Sequence, residues 1–264
     1  MDVIKLDTLD LVVASLLVVL SAGISFALRV NVQRQLLWAA LRTVVQLLLV
    51  GHILRIVFAH AAPWLTALVV AVMMALAARE VAARPKARLV GHGNGWVGAA
   101  AVAATTLITV MFILNTALHP EPWYDPRYAI ALIGIVLGSV LNAASLALDG
   151  MLSGVRREKQ AIEARLSLGA PARQAFSALL RESVRRGIVP SINQMSAAGI
   201  ITLPGIMTGQ IIAGMDPIEA AKYQILLMFL LCGASGMAAM GAAYGAMRRL
   251  TDERGRLRLD RLQA

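Results

Sequence analysis

The sequence predicts an all-α protein that crosses a membrane several times. Of its 264 residues, 58% are hydrophobic and 15% are charged, whereas soluble domains have about 45–50% apolar and about 25% charged residues. The apolar residues lie in charge-poor runs, and each approaches or exceeds the about 20 residues that a helix needs to span a bilayer. These runs are residues 11–28, 57–78, 95–118 and 225–247. Few aromatic residues and no two-residue alternation argue against a β-barrel.

We expect seven spanning helices, because a segment in lipid must satisfy its own backbone hydrogen bonds. They are placed at about 9–28, 36–58, 63–83, 96–118, 128–148, 188–213 and 223–247. Residues 1–264 are thereby interpreted as a single membrane domain. Its one long soluble stretch, at about 149–187, is predicted to be a cytoplasmic loop between the fifth and sixth helices.

The positive charges predict an orientation for these helices. Twenty of the 25 Lys and Arg residues lie in alternate connections and in the tail, and only Lys5, Arg127 and Lys222 lie in the others. Cytoplasmic loops carry the excess of Lys and Arg. We therefore expect an inner-membrane protein with its N-terminus outside and its C-terminus in the cytoplasm. The same distribution explains the net charge of +10 by contact with lipid, and nucleic acid is not expected as a partner.

The cytoplasmic loop is predicted to contain two short helices separated by Gly169-Ala170-Pro171. The second of them has an apolar stripe that includes Phe176, with Arg173 on another face. It either lies on the inner leaflet or docks a cytoplasmic partner. The run E-A-R-L-S-L-G, from Glu163 to Gly169, resembles the EAA loop of ABC permeases, the element that contacts the ATPase.

The chain itself lacks the motif for ATP hydrolysis. A P-loop needs a lysine directly after a glycine, and none of the four lysines follows one. We therefore expect no intrinsic cofactor and no enzymatic activity, with ATP and Mg²⁺ bound by a partner subunit. The coupling residues expected to contact that subunit are Glu163, Gly169, Arg173 and Phe176.

The sixth helix is the most polar and the most interrupted of the seven. It contains Pro190 and Pro204, and a Gly/Pro-interrupted span indicates a transport site because freed carbonyls can line a cavity. Plain helix packing with bonds to neighbouring helices is the alternative interpretation. The candidate substrate-pathway residues, in this helix and in its neighbours, are Gln46, Asn142, Asn193, Met207, Thr208, Gln210 and Gln224. The sequence identifies no metal ligands, and methionine is more often a packing residue than a soft-metal ligand.

Three segments together resemble the FetB family of bacterial ABC permeases. They are L-N-A-A-S-L-A-L-D at 141–149, the 163–169 loop, and L-P-G-I-M-T-G-Q-I-I-A-G at 203–214 followed by Y-Q-I-L-L-M-F-L at 223–230. The resemblance implies a permease homodimer with two copies of a separate ATP-binding subunit, and iron export as the activity. The alternative is a secondary transporter of a small solute or ion. The middle of every predicted helix lacks the carboxylates that ion-coupled transport usually needs.

Overall fold

The structure, a computed structural model, describes residues 7–60, 62–85, 87–89, 93–118, 125–252 and 254–263. The described chain is nearly all helical, and six of its helices are long and apolar enough to cross a membrane. The ten α-helices are α1 Thr8–Ala27, α2 Gln33–His60, α3 Pro63–Ala83, α4 Gly93–Ile113, α5 Pro126–Arg157, α6 Lys159–Ser167, α7 Ala172–Ala175, α8 Ser177–Ala197, α9 Gly205–Ile212 and α10 Pro217–Leu250. A π-helical turn, Leu114–Leu118, follows α4.

The chain forms two compact units. The first consists of Met1–Ala62 with Ile212–Gly214, and the second consists of the remaining residues. The first contains the α1–α2 hairpin. Its turn places Arg29 and Asn31 at positive φ, and the Ser25 hydroxyl accepts a 3.3 Å hydrogen bond from the Val32 N–H. Most apolar side chains of both helices are exposed. The interpretation of residues 1–264 as one membrane domain stays a prediction.

The second unit is a helical bundle in which α5 and α10 form the central pair, with α3, α4 and α8 packed around them. Both central helices begin in the same way. Asp125 and Asp216 accept hydrogen bonds from backbone N–H groups of the first turn, and Pro126 and Pro217 come next. An aspartate N-cap satisfies free N–H groups, and proline at the first helical position costs no hydrogen bond.

Small residues bring the bundle helices close together. Every fourth residue from Ala234 to Ala246 on α10 is an alanine with at most 1% of its surface exposed. At Gly187 on α8 a β-carbon would lie 2.7 Å from the Ala143 carbonyl oxygen of α5. Small side chains allow such approach of helix backbones in a membrane. The Gly241 and Gly245 pair, a G-x-x-x-G match, faces Ala101 and Val97 of α4 in this way.

The C-terminal tail folds back onto the connection between α3 and α4. Strand β1, Arg88–Leu89, pairs antiparallel with strand β2, Leu262–Gln263. A 3₁₀ turn, Leu259–Arg261, precedes β2. The Arg261 guanidinium also donates a 2.9 Å hydrogen bond to the Arg249 carbonyl oxygen at the end of α10. The tail is therefore held against the bundle.

The predicted helix at 188–213 is wrong, since it is two helices: α8 ends at Ala197 and α9 begins only at Gly205. The position of the cytoplasmic loop, at about 149–187, stays a prediction, because the end of a helix does not fix where the chain leaves the membrane. Helix α5 continues to Arg157 before the first break, and α8 begins at Ser177 and runs on without a break. Packing of Met151, Leu152 and Val155, which are fully buried, extends α5 beyond its apolar membrane segment.

Candidate substrate site and coupling loop

The interruption between α8 and α9 lies at residues 198–204. Gly199 has φ +83°, a conformation that favours glycine. Its N–H donates a 2.9 Å hydrogen bond to the Thr202 carbonyl oxygen, so the break is a closed turn. Pro204, which has no N–H, directly precedes α9. The sequence also predicted an interruption at Pro190, but α8 continues through that residue.

A cavity of about 420 Å³ lies between this break and the first part of α10. Its volume is within the range of small-molecule sites, which are mostly apolar with a few polar groups. Three methionines from three helices reach it. The residues that line it are Met195, Ala198, Gly199, Pro204, Met207, Ala221, Gln224, Ile225, Met228 and Phe229.

Gln224 is the principal polar side chain of this cavity. It is only 7% exposed, and its Oε1 atom has no hydrogen-bond partner among the described residues. A buried acceptor without a partner costs about 1–3 kcal/mol. Gln224 therefore brings a buried acceptor without a partner to the wall of this cavity.

Two of the predicted pathway residues, Met207 and Gln224, lie in the cavity. Thr208 is half-buried, and its hydroxyl donates a 3.2 Å bond to the Pro204 carbonyl oxygen, so it caps the break. Gln210 has a buried Oε1 atom without a partner among the described residues, but it does not line this cavity. Asn193 is exposed on α8.

The other two predicted residues lie elsewhere. The Asn142 side-chain oxygen accepts a hydrogen bond from Arg84, which directly follows α3. Gln46 is exposed on α2, in the other unit. Met195, Met228 and Phe229 are cavity residues that the prediction of the site omitted. Their only sequence signal is the local abundance of methionine. What brings them together is the antiparallel packing of α8 on α10, which is not a local property.

The donor atoms of the cavity are neutral. They include the thioethers of Met195, Met207 and Met228 and the amide oxygen of Gln224. In the described part of the chain, no three His, Cys, Asp or Glu side chains are grouped as a metal site. Thioethers suit soft metals better than hard ones. A cation here would be held weakly, which favours release and therefore passage.

The predicted coupling loop is a compact turn between α6 and α7. Gly169 has φ +85°, and the N–H groups of Gly169 and Ala170 donate to the carbonyl oxygens of Leu166 and Arg165. This is the Schellman arrangement, which satisfies the last carbonyls of a helix. The Arg165 guanidinium donates a 3.1 Å bond to the Ala175 carbonyl oxygen, which ties the two helices together.

The loop has a buried side and an exposed side. Ile162 and Phe176 are at most 1% exposed and anchor the loop in the bundle core. Phe176 therefore lies in the bundle core, and its predicted contact with an ATPase stays a prediction. Glu163 is half-exposed and lies 3.9 Å from the Lys159 ammonium, and Arg173 lies over the Tyr244 ring. Leu168, which the sequence analysis did not single out, is 88% exposed beside Gly169.

The helical bundle, its apolar spans and its interrupted α8–α9 segment together define a multi-pass membrane protein. A comparison with protein families identifies the family to which the chain belongs. Residues 8–251 match the family described as "Uncharacterised protein family (UPF0014)". The chain belongs to this family.

Named relatives from bacteria and plants are similar over most of their lengths. The "Probable iron export permease protein FetB" of Escherichia coli K12 is 30% identical over 96% of both chains. The "UPF0014 membrane protein slr1647" of Synechocystis is 39% identical over 76% of this chain and 77% of its own length. The rice "UPF0014 membrane protein STAR2" is 29% identical over 88% and 80%. No solved structure matches the chain.

Proposed function

We propose that this protein is the membrane-spanning permease subunit of an ABC transporter in a bacterial inner membrane, driven by a separate ATP-binding subunit. The observation that carries the proposal is the α6–α7 loop. It combines a rigid Schellman turn, anchors in the bundle core, and an apolar residue, Leu168, that is 88% exposed at its end. An anchored loop of this kind transmits a push from a cytoplasmic partner to α5 and α8, between which it lies.

The transported solute is a metal ion, with iron as the first to test. The printed name of the Escherichia coli relative supports iron, and the neutral cavity supports weak, exchangeable binding. Conduction requires a site that releases what it binds. Two copies of the permease form the complete pathway, and the cavity near the α8–α9 break is its substrate site. A secondary transporter, the alternative function, would move the ion without any ATPase, so transport with and without the ATPase distinguishes the two functions.

The chain crosses the membrane seven times, with the α8–α9 pair as one divided crossing. The β1–β2 pairing supports this count, because it puts the α3–α4 connection and the C-terminus on one side. If only α4, α5 and α10 crossed the membrane after the α3–α4 connection, three crossings would put that connection and the C-terminus on opposite sides. The direction of α8 also supports this count. Ser191 donates a 2.9 Å hydrogen bond to Ser235, and Gly187, earlier on α8, lies against Ala239, later on α10. Helix α8 therefore runs antiparallel to α10.

We infer from the positive charges that this shared side is cytoplasmic and that the N-terminus is outside. Cysteine labelling tests this topology on a protein whose Cys232 has been replaced by alanine. A cysteine at Arg254 should react with an impermeant maleimide only after the cells are opened. A cysteine at Met215, in the connection between α9 and α10, should react in intact cells. Reaction of both positions from the same side would contradict the divided crossing.

The coupling proposal is tested by co-expression of the permease with an ATP-binding subunit encoded beside it. The two should copurify and transport Fe²⁺ into inside-out vesicles only with ATP. Leu168→Asp should abolish copurification and transport, because it puts a charge on the apolar contact. Ala161→Asp, an exposed position on α6, adds the same charge and should leave both intact. Transport that persists without the ATPase would support a secondary transporter and overturn the proposal.

A further inference from the structure

A second cavity, of about 630 Å³, lies at the end of α10 opposite to the cavity lined by Met195, Met207 and Met228. It runs along the contact of α4 with α10. Its lining residues are Trp96, Val97, Ala100, Ala101, Gly241, Gly245, Arg248, Arg249 and Arg261. The proposed transport function does not involve this second cavity.

The cavity is apolar along the helices and strongly basic at their end. Its walls are the small residues of α4 and α10, such as Ala100 and Gly241, which leave a shallow groove beside the helix contact. Gly241 precedes Arg249 by eight residues, which is about 12 Å along a helix. That length accommodates the upper part of an acyl chain below a headgroup.

Three guanidinium groups, those of Arg248, Arg249 and Arg261, surround the mouth of the groove. None of them forms a salt bridge with another residue that the structure describes. The nearby carboxylates are already engaged, since Asp252 pairs with Arg256 and Asp260 with Arg258. The mouth therefore keeps a net charge of about three positive units at the described side chains.

Trp96, which is 70% exposed, stands at the same end of the groove. Tryptophan is enriched at the level of lipid headgroups, so this level of α4 fits the membrane–water interface. Basic pockets between spanning helices bind anionic headgroups. A second copy of the chain is a poorer occupant, because its own basic mouth would be brought against this one.

We propose that the groove between α4 and α10 binds one anionic phospholipid. The phosphate contacts the arginines of the mouth, and an acyl chain lies along Ala100 and Gly241. The ligand is the intact lipid and not free phosphate, because the groove continues along the apolar part of both helices.

Native mass spectrometry of the purified permease in detergent tests this site. Phosphatidylglycerol, phosphatidylcholine and inorganic phosphate are added separately at matched concentrations. We expect one tightly retained phosphatidylglycerol per chain, with much weaker retention of phosphatidylcholine and no phosphate adduct. The Arg248→Gln/Arg249→Gln variant should retain phosphatidylglycerol about 30-fold more weakly, since each interfacial arginine contributes roughly fivefold.

The end of α5 provides a matched control. Arg156 and Arg157 also form an arginine pair in the last turn of a spanning helix, and they do not line the groove. The Arg156→Gln/Arg157→Gln variant should retain the lipid like the parent. Ala100→Leu, at an exposed position, should fill the groove and reduce lipid retention several-fold without a change of charge.

Four outcomes would overturn the proposal. They are equal retention of both lipids by the parent, equal losses in the two arginine variants, a phosphate adduct as strong as the lipid adduct, and a change from dimer to monomer in Ala100→Leu without loss of lipid. The last of these would identify the groove as an interface between copies.

Discussion

Helix α10 and the α8–α9 segment run side by side through the bundle, but they are built in opposite ways. Helix α10 is one uninterrupted helix of 34 residues with a buried row of alanines. The α8–α9 segment stops for seven residues in the middle, and Ile200 and Ile201 at the break are 90% and 81% exposed. Helices α8 and α10 pack closely against the bundle, whereas the break and α9 have few contacts with other helices to hold them. Low local contact is what a moving element requires, so conformational change is expected at α9.

The close packing of α8 on α5 and α10 gives the largest expected effect. Gly187→Ala puts a β-carbon 2.7 Å from both the Ala143 carbonyl oxygen and the Ala239 side chain. Because a backbone oxygen cannot move aside, we expect a loss of about 2–3 kcal/mol in the free energy of unfolding. Thermal unfolding in detergent measures it. Gly209→Ala on α9, where nothing lies within 4 Å, should instead be neutral or stabilise by up to ~1 kcal/mol.

The break itself gives the next largest effect. Gly199→Ala forces a side chain into a left-handed conformation at φ +83°, which costs about 1–2 kcal/mol. We expect this cost to appear mainly as altered transport, because a straighter α8–α9 segment relieves it. Transport by reconstituted permease with its ATPase, compared with the unfolding temperature, separates the two effects. A variant that loses stability but transports normally would show that the break is static.

Gln224 tests whether the cavity is a site or an accidental void. Its Oε1 atom has no partner among the described residues. Gln224→Leu removes this unsatisfied acceptor and should raise the free energy of unfolding by about 1–3 kcal/mol. Transport should fall strongly. Ser235→Ala is the opposite case, because it leaves the Ser191 hydroxyl without its bond and should cost about 1 kcal/mol while transport persists.

The tail gives the smallest effect. The Arg256 N–H donates a 2.7 Å hydrogen bond to Asp252 and, as the largest cause, lowers the pKa of this carboxyl below 3.8. Because the pKa of Asp252 is lower in the folded turn than in the unfolded chain, its ionised carboxylate stabilises the turn at pH values above the unfolded pKa. This stabilisation is lost as the pH falls through the folded pKa. Limited proteolysis of the tail should therefore be constant from pH 5 to pH 8. Asp252→Asn should accelerate it modestly, and an unchanged rate would contradict this role.

The sequence predicted the existence of the long helices better than their ends. Apolar runs locate α5 and α10, because such a run is a local property. The two helices were placed at about 128–148 and 223–247, whereas they extend over Pro126–Arg157 and Pro217–Leu250. Pro190 and Pro204 are alike as sequence, yet only Pro204 stands at a break. Helix α8 continues through Pro190 because packing on α10, including the Ser191–Ser235 bond, compensates for the missing N–H bond.

The candidate site was predicted only in part for the same reason. Met207 was identified because it lies beside Pro204, whereas Met195 and Met228 join it only through helix packing. The pairing of Asn142 with Arg84 spans 58 positions of sequence, and no periodicity reveals such a contact. The burial of Phe176 in the bundle core was not predictable either, because an apolar stripe does not show whether it faces the bundle or a partner.

The pairing of β1 with β2 also has a consequence for the synthesis of the chain. Its register joins Arg88 to Gln263, so the first partner leaves the ribosome long before the second is made. At about 5–20 residues per second, the edge of β1 waits for roughly ten seconds or more with its backbone groups unpaired. An unpaired strand edge is open to other chains. Residues 262–263 thus close the edge only after they have been made, and a chain that stops before them keeps it open.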